Sequence, residues 1–524
     1  MNEREVAVCT LSEINDGEMK EVQVGTTPVL LARVSGKCYA LGAHCTHYGA
    51  PLAEGALSGN RIVCPWHHAC FNAQNGDLEE PPALDSLPNY PVRIDGDDIF
   101  VDVTDPATDR RTPEMTTLDQ EVDQRVFVIL GGGAAGYMAA QTLREDNFRG
   151  RILMITLETR TPYDRPNLSK DYLQGHSEPE WMPLRPDDFF AEYDIEILRE
   201  KEVVKVDSKA KTIAFDDGTS INYDTLLVAT GGVPRKLDIP GADLKNVFVL
   251  RSFDNADSII DSAKDARKAV VIGASFIGME AAFSLRDRGL SVTVVAPDNV
   301  PFERTLGKNI GRLFQGVHES KGVEFRLGSH VESFQGEENV RAVLLSSGER
   351  IEADLVVIGV GVVPATGFLD GLEMQNDGGV NVDEHLSVSE GIFAAGDVAS
   401  FPDSRTGERI RIEHWRTALQ QGRIAAHNMV GKPTAFASVP FFWTTQFDVT
   451  LNYVGHTRGW DEIIFQGDVE KRDFLAFYVK EHRILAVAGM NRDREIAVWE
   501  ELIRLNRVPS PAGLGEASAG RWAL

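Results

Sequence analysis

Two cysteine–histidine pairs, Cys45-x-His47 and, after sixteen intervening residues, Cys64-x-x-His67, put four metal-ligating side chains in one short stretch, "AHCTHYGAPL…RIVCPWHHACF". Thiolate and imidazole at tight paired spacing can surround one inorganic centre. A zinc finger would bring its pairs as two cysteines and then two histidines. Here each pair mixes the two ligand types, which suits a [2Fe–2S] cluster in which one iron takes two thiolates and the other two imidazoles. A zinc ion and a site without metal are the alternatives. Among the neighbours, His44 and His68 read as exposed or as orienting the loop, with proton exchange as the lesser reading. Cys38 and Cys70 read as packed thiols, and Cys9 as incidental.

Two glycine turns carry the next chemistry. The first is Gly131-x-Gly133-x-x-Gly136, between the apolar run "RVFVIL" and a helix-like stretch, with Glu158 twenty-two residues after Gly136. Gly131 permits a tight turn, and Gly133 lets the backbone approach a pyrophosphate. The helix N-terminus beginning around Ala135 supplies N–H groups and a positive dipole end. Glu158 can accept a hydrogen bond from a ribose hydroxyl. The second turn is Gly273-Ala-Ser275-Phe-Ile-Gly278, where Ser275 replaces the middle glycine; Glu280 follows on the helix, and Asp298 lies twenty residues after Gly278. No Lys or Arg appears near the end of the next strand before Arg304. A clamp for a 2′-phosphate is therefore missing, which favours NADH, with NADPH as the alternative.

These residues need several domains to position them. A chain of 524 residues is too long for one core. Residues 1–104 read as short strands with Gly and Asp-Gly turns, an all-β domain. Residues 105–123 are polar and proline-containing, a linker. Two strand–glycine turn–helix units then place one nucleotide-binding domain over 124–245 and 371–434 and a second over 246–370, leaving 435–524 as a C-terminal domain of mixed strands and helices. With 53 Lys+Arg against 79 Asp+Glu, the net charge of −26 argues against a nucleic-acid partner or docking on anionic lipid. No run reaches a transmembrane length. The polar N-terminus shows no secretory signal, so the expected location is cytoplasmic.

The cysteine–histidine pattern, "CTH" on one loop and "CPWH" on the other, resembles the Rieske family. High-potential Rieske proteins carry an extra cysteine in each loop, at positions matching Ala50 and Trp66, and Ser and Tyr hydroxyls at positions matching Ala69 and Phe71. Their absence implies a low potential, near the bottom of the Rieske range at roughly −150 mV. His68 stands where Gly is common in that family, so its backbone need not match. From about residue 124 to 510 the motifs "TPYDRPNLSKDYL", "LLVATGG" and "GIFAAGDVAS" occur in order, and this part resembles the pyridine-nucleotide–disulfide reductase superfamily. More closely, it resembles the ferredoxin reductases of Rieske oxygenase systems and the apoptosis-inducing-factor-like flavoproteins. The resemblance implies two Rossmann-like α/β domains, FAD in the first of them, and a C-terminal α+β reductase domain. It places Arg165, Lys170, Ala229, Gly396 and Asp397 at the flavin, with Asp164 as a flavin-loop or simple turn residue. It puts Glu280 near Lys170, as a pair that orients the flavin and nicotinamide edges or only stabilises packing. It implies that two aromatic stretches, one with His414 and Trp415 and one with Trp443, bind the cofactor and line the route out of the flavin, with Trp443 at the flavin's exposed side, where an indole would stack, exclude water and shorten the tunnelling gap; interface packing is the plainer reading.

No cysteine follows Cys70, so the redox disulfide of classical members is excluded, and electrons must leave the flavin by another route. The expected function is therefore transfer from NAD(P)H through FAD to the [2Fe–2S] cluster and on to a redox partner protein such as an oxygenase or cytochrome. A slow redox-sensing or signalling flavoprotein is the alternative. The sequence sets neither the oligomeric state nor whether the cluster is fed within its own chain.

Overall fold

The strand Thr27–Val34 is apolar at successive positions, and both of its faces are covered. Val29 and Leu31 join one core with Ile14, Ile99 and Val101; Leu30, Ala32 and Val34 join another that contains Cys45, Cys64 and Phe71. In the computed structural model, which describes residues 5–103 and 108–515, this strand lies inside an antiparallel sheet ordered Met19–Val24, Thr27–Val34, Lys37–Gly42, Asn89–Tyr90. A second antiparallel sheet is built from Ala56–Ser58, Arg61–Val63, Cys70–Asn72 and Leu78–Glu80. One cysteine–histidine loop follows Lys37–Gly42, and the other joins the two middle strands of the second sheet. Both loops close alike: Cys45 N–H donates to the Ala50 carbonyl and Cys64 N–H to the Ala69 carbonyl, each at 2.9 Å.

The segment after this domain is tied down. Arg111 bridges to Ser86, Thr116 N–H donates to the Arg144 carbonyl at 3.1 Å and Asp119 N–H to the Arg149 carbonyl at 2.8 Å. The start of the expected linker, residues 105–107, and the outer ends of the first and last domains lie outside the described residues.

Five parallel strands follow in the order Ile195–Leu198, Arg151–Ile155, Val126–Leu130, Thr225–Val228, Ile392–Ala394, with Ser387–Ser389 antiparallel at the edge. Their near-continuous apolar runs fit a sheet buried on both faces. The helices Ala134–Glu145 and Trp415–Met429 pack closely because Gly422 faces Ala135, where a Cβ would lie 2.2 Å from the Ala135 carbonyl oxygen. A second five-stranded parallel sheet, Val247–Val249, Leu355–Ile358, Lys268–Ile272, Ser291–Ala296, Val323–Leu327, forms the inserted domain. The chain enters and leaves it through one antiparallel pair, Gly232–Pro234 with Val362–Pro364. It has rejoined the outer domain by Leu369–Asp370, which pairs with Val206 and Asp207, just before the expected boundary at 370. The last domain is a five-stranded antiparallel sheet, Phe441–Gln446, Val449–Gly455, Arg483–Met490, Asp473–Lys480, Glu462–Asp468, backed by the helix Asp493–Arg504. No helix among the described residues is long and apolar enough to cross a membrane.

Candidate redox site between the β domain and the nucleotide cleft

The four ligand candidates meet as two pairs. His47 Nδ1 lies 3.2 Å from His67 Nδ1, and Cys45 and Cys64 lie close enough for each thiol to shift the other's pKa. Burial keeps both imidazoles neutral, lowering His47 to about 3 and His67 well below its ordinary value. Burial opposes a Cys64 thiolate, but the Cys45 thiol and the backbone N–H groups of His67, Trp66 and His68 outweigh it and lower its pKa. Among the described residues no three His, Cys, Asp or Glu side chains converge on a point where one ion would sit. A thiol pair beside an imidazole pair fits a binuclear centre with two side-chain ligands per iron.

The glycine turns open on a single cleft of about 1890 Å³, larger than one drug-sized ligand needs. Gly131 has a φ of +114°, and a Cβ there would lie 2.2 Å from the Ala229 carbonyl oxygen; one on Gly136 would lie 1.9 Å from the Gly131 carbonyl oxygen. Those two glycines are required by the fold, whereas Gly133 faces open space, as a backbone that receives a pyrophosphate should. Gly273 and Gly278 repeat the geometry. Ser275 is tolerated between them because its backbone is extended, with φ −99°.

Apart from the packed Gly136 and Gly278, every expected cofactor residue lines this cleft: Gly131, Gly133, Ala135, Glu158, Arg165, Lys170, Ala229, Gly273, Ser275, Glu280, Asp298, Gly396, Asp397, His414, Trp415 and Trp443. Glu158 is fixed by Arg165 Nη2 at 2.6 Å and the Tyr163 hydroxyl at 2.5 Å. Asp397 pairs with Arg251 at 2.7 Å. Asp298 accepts from Arg304 Nε at 2.9 Å. His414 stacks on Phe442 at 4.6 Å, and burial lowers it to about 4.

Glu280 is buried and takes three donors: Lys170 Nζ at 2.7 Å, Ser169 Oγ at 2.6 Å and Thr444 Oγ1 at 2.8 Å. Thr444 belongs to Phe441–Gln446, and the alternation of that strand joins the two halves of the site. Phe442, Thr444 and Gln446 face the nucleotide domains. Phe441 and Trp443 face the β domain, where Phe441 stacks on His68 at 3.9 Å and Trp443 meets His67 at 4.4 Å between ring centroids. Trp443 thus touches a ligand candidate on one side and the cleft on the other.

The contact is held by buried charges. Arg416, fully buried, donates to Glu80 Oε2 at 3.0 Å and the Pro81 carbonyl at 3.0 Å, and pairs with Glu500 Oε1 at 2.8 Å. Arg61 reaches Glu80 at 2.7 Å and Glu501 at 2.9 Å. Arg185 binds Asp85 through two bonds of 2.7 and 3.0 Å. Tyr48 donates to Asp164, which is therefore an interdomain acceptor as well as a turn residue.

His68 corrects the expectation of exposure. It is wholly buried, with Nδ1 on Glu500, and its φ of +58° is the left-handed conformation that favours glycine. His44 is exposed, 3.7 Å from Glu21. Cys38 and Cys70 are buried. Sequence reading missed Arg251, Ser169, Thr444, Arg416 and Glu500, whose partners lie far away in the chain; only the His68 position carried a signal.

Comparison with known proteins agrees with this division. Residues 125–422 match the family described as "Pyridine nucleotide-disulphide oxidoreductase", residues 4–91 the "Rieske [2Fe-2S] domain" and residues 441–520 "Reductase C-terminal". The chain is 40% identical over 514 residues to human "Apoptosis-inducing factor 3", covering 96% of this chain and 84% of that protein. It is 38% identical to "Rhodocoxin reductase" of Rhodococcus erythropolis, over 70% of this chain and 87% of the relative. Among solved structures, "Crystal structure of the covalent putidaredoxin reductase-putidaredoxin complex" aligns with a TM-score of 0.71 and 32% identity, over 75% of this chain and 95% of the other. With the glycine turns, the mixed ligand pairs and the C-terminal sheet each inside its matched span, the chain belongs to the pyridine nucleotide-disulphide oxidoreductase family, carrying a Rieske [2Fe-2S] domain ahead of it and a reductase C-terminal domain behind.

Proposed function

We propose that this flavoprotein passes electrons from NAD(P)H through FAD to the Rieske cluster of the same chain, and from there to an acceptor protein such as an oxygenase or a cytochrome. Its cofactors are FAD, a [2Fe–2S] cluster and NADH. When bound, FAD converts a two-electron hydride into single electrons and the cluster carries them one at a time.

The protein's part is binding, orientation and exclusion of water. We read both parallel-sheet domains as Rossmann-like. In the outer one, the turn from Gly131 to Gly136 would hold the FAD pyrophosphate at a helix N-terminus, with Glu158 on a ribose and Asp397 on the ribityl side. In the inserted one, the turn from Gly273 to Gly278 would hold the nicotinamide dinucleotide. Asp298 would accept from its ribose, and because Arg304 is already engaged, NADH is preferred to NADPH. The Lys170–Glu280 pair, locked by Ser169 and Thr444, would keep the flavin and nicotinamide edges in register. Cys45, His47, Cys64 and His67 would ligate the cluster. A cytoplasmic location fits five cysteines of which none is in a disulfide.

The observation that carries this reading is the 4.4 Å contact of His67 with Trp443, an indole that also lines the nucleotide cleft. The test is anaerobic mixing with NADH, followed by flavin absorbance and freeze-quenched EPR. The rhombic signal of a reduced Rieske cluster should rise as flavin absorbance recovers, at a rate independent of protein concentration, and more slowly in Trp443→Ala. A bleached flavin beside an EPR-silent cluster would refute transfer to the cluster and favour a sensing role. A rate proportional to protein concentration would refute transfer within one chain.

A further inference from the structure

The histidine loops have a second side, which neither the cleft nor Trp443 covers. Tyr48 is 51% exposed and Trp66 40% exposed, and neither lines the cleft. The Tyr48 ring centroid is 4.2 Å from that of His47 and 5.8 Å from that of His67, and Trp66 is 6.5 Å from His67. The Tyr48 hydroxyl is bound to Asp164, whose N–H donates to the Met182 carbonyl at 2.8 Å, so the turn Pro179–Trp181 lies alongside. Trp181 is 69% exposed. Two accessible aromatic rings beside the histidine pair, with a third on the adjoining turn, are more than scattered surface residues, and such rings are enriched at protein interfaces.

Charge decides which partner suits them. The exposed carboxylates Glu178 and Glu180 lie three residues and one residue before Trp181, and exposed Asp171 is close enough to Tyr48 for its charge to act on the hydroxyl. None of the three is in an ion pair among the described residues. A second copy of the chain would bring a net charge of −26 against this acidic rim, whereas a protein with lysines or arginines around an exposed redox group would be steered onto it.

Resting on the reading that the cluster is reduced from NADH, we propose that Tyr48, Trp66 and Trp181, rimmed by Asp171, Glu178 and Glu180, are the docking surface for the acceptor, a one-electron carrier protein with a basic rim. The docked β domain already occupies the Trp443 face. Electrons therefore enter the cluster from one side of the histidine pair and leave it from the other.

The probe is cytochrome c, a basic haem protein, titrated calorimetrically into the oxidised full-length protein at about 20 mM and about 200 mM NaCl. The dissociation constant should rise roughly tenfold across that range. At low salt it should rise several-fold in Glu178→Gln/Glu180→Gln and in Trp181→Ala. The control Glu332→Gln/Glu337→Gln removes the same charge from exposed residues of the inserted domain and should leave it near wild type. Equal weakening in the control, or no weakening in the rim variants, overturns the proposal. Sedimentation showing a wild-type dimer that dissociates in Trp181→Ala also overturns it, in favour of a second copy. The EPR signal after NADH is recorded on every variant. Its absence in wild type would refute electron delivery to the cluster, whereas normal EPR with unchanged binding would refute only the docking surface.

Discussion

Replacing Arg416 by methionine should release the Rieske domain from the reductase. Burial by itself would raise the Glu500 carboxyl, but Arg416, followed by His68 and Arg61, more than reverses this and holds it at about 2, against an ordinary 4.5. That difference corresponds to about 3 kcal/mol at neutral pH, present above the ordinary value and lost as the pH falls through the lowered one. Arg416→Met removes the largest opposing charge and leaves Glu500 and Glu80 sharing His68 and Arg61. Removing one partner of a buried pair costs about 3–5 kcal/mol, which lowers the docked-to-undocked ratio by roughly 10²- to 10⁴-fold. The assay is hydrogen–deuterium exchange at neutral pH across Leu78–Glu80 and Asp493–Arg504, which should accelerate in the variant. In wild type the same acceleration should appear only on acidification, from about pH 4 downward. Glu500→Gln should lower the additional cost of Arg416→Met by about 1–3 kcal/mol. Exchange in Arg416→Met within twofold of wild type, or strict additivity with Glu500→Gln, would refute the assignment of docking to this network.

Lys170→Ala leaves buried Glu280 with two neutral donors. It should cost about 3–5 kcal/mol in urea unfolding and slow flavin reduction by NADH in stopped flow; unchanged reduction would remove the pair from the chemistry. Asp298→Ala frees Arg304 and should shift the kcat/KM ratio toward NADPH by about tenfold, read from steady-state kinetics with both nucleotides. The cluster potential should fall near the bottom of the Rieske range, at roughly −150 mV in an EPR-monitored titration, because the buried Ala69 and Phe71 offer no hydroxyl to its sulfurs; a value above about +100 mV would contradict this.

The parts of this site that local geometry dictates were legible in the sequence. A turn that must place Gly131 at φ +114° against the Ala229 carbonyl leaves a mark that any reader of the chain can find. So does a pair of loops that must each present one thiolate and one imidazole. What joins the domains left no such mark. Arg416 meets Glu80 across 336 residues of chain, and His68 meets Glu500 across 432. Nothing in the periodicity of either strand or helix records such partners. His68 shows the cost of reading a loop residue by type alone: a histidine in a glycine position reads as exposed, yet its left-handed backbone turns the ring inward onto Phe441. Composition marks a linker but not where it runs; backbone bonds from Thr116 and Asp119 lay it along the outer parallel-sheet domain.

The choice of ions for this interface has a physical logic. Apolar residues of similar volume would bind the two domains as tightly or more tightly, since desolvation consumes much of what a buried ion pair returns. An apolar contact, however, tolerates small slides. Arg416 donates at once to Glu80 and the Pro81 carbonyl on one domain and pairs with Glu500 on the other, and Arg61 repeats the bridge from the opposite side to Glu501. These directional bonds are satisfied in one register only, and that register puts His67 on Trp443 and His68 on Phe441. A shift of about 1 Å would leave charged groups buried without partners, so the network fixes position more than it adds affinity. Fixed position is what transfer between two centres in one chain requires, and a separate carrier that must bind and leave cannot keep it.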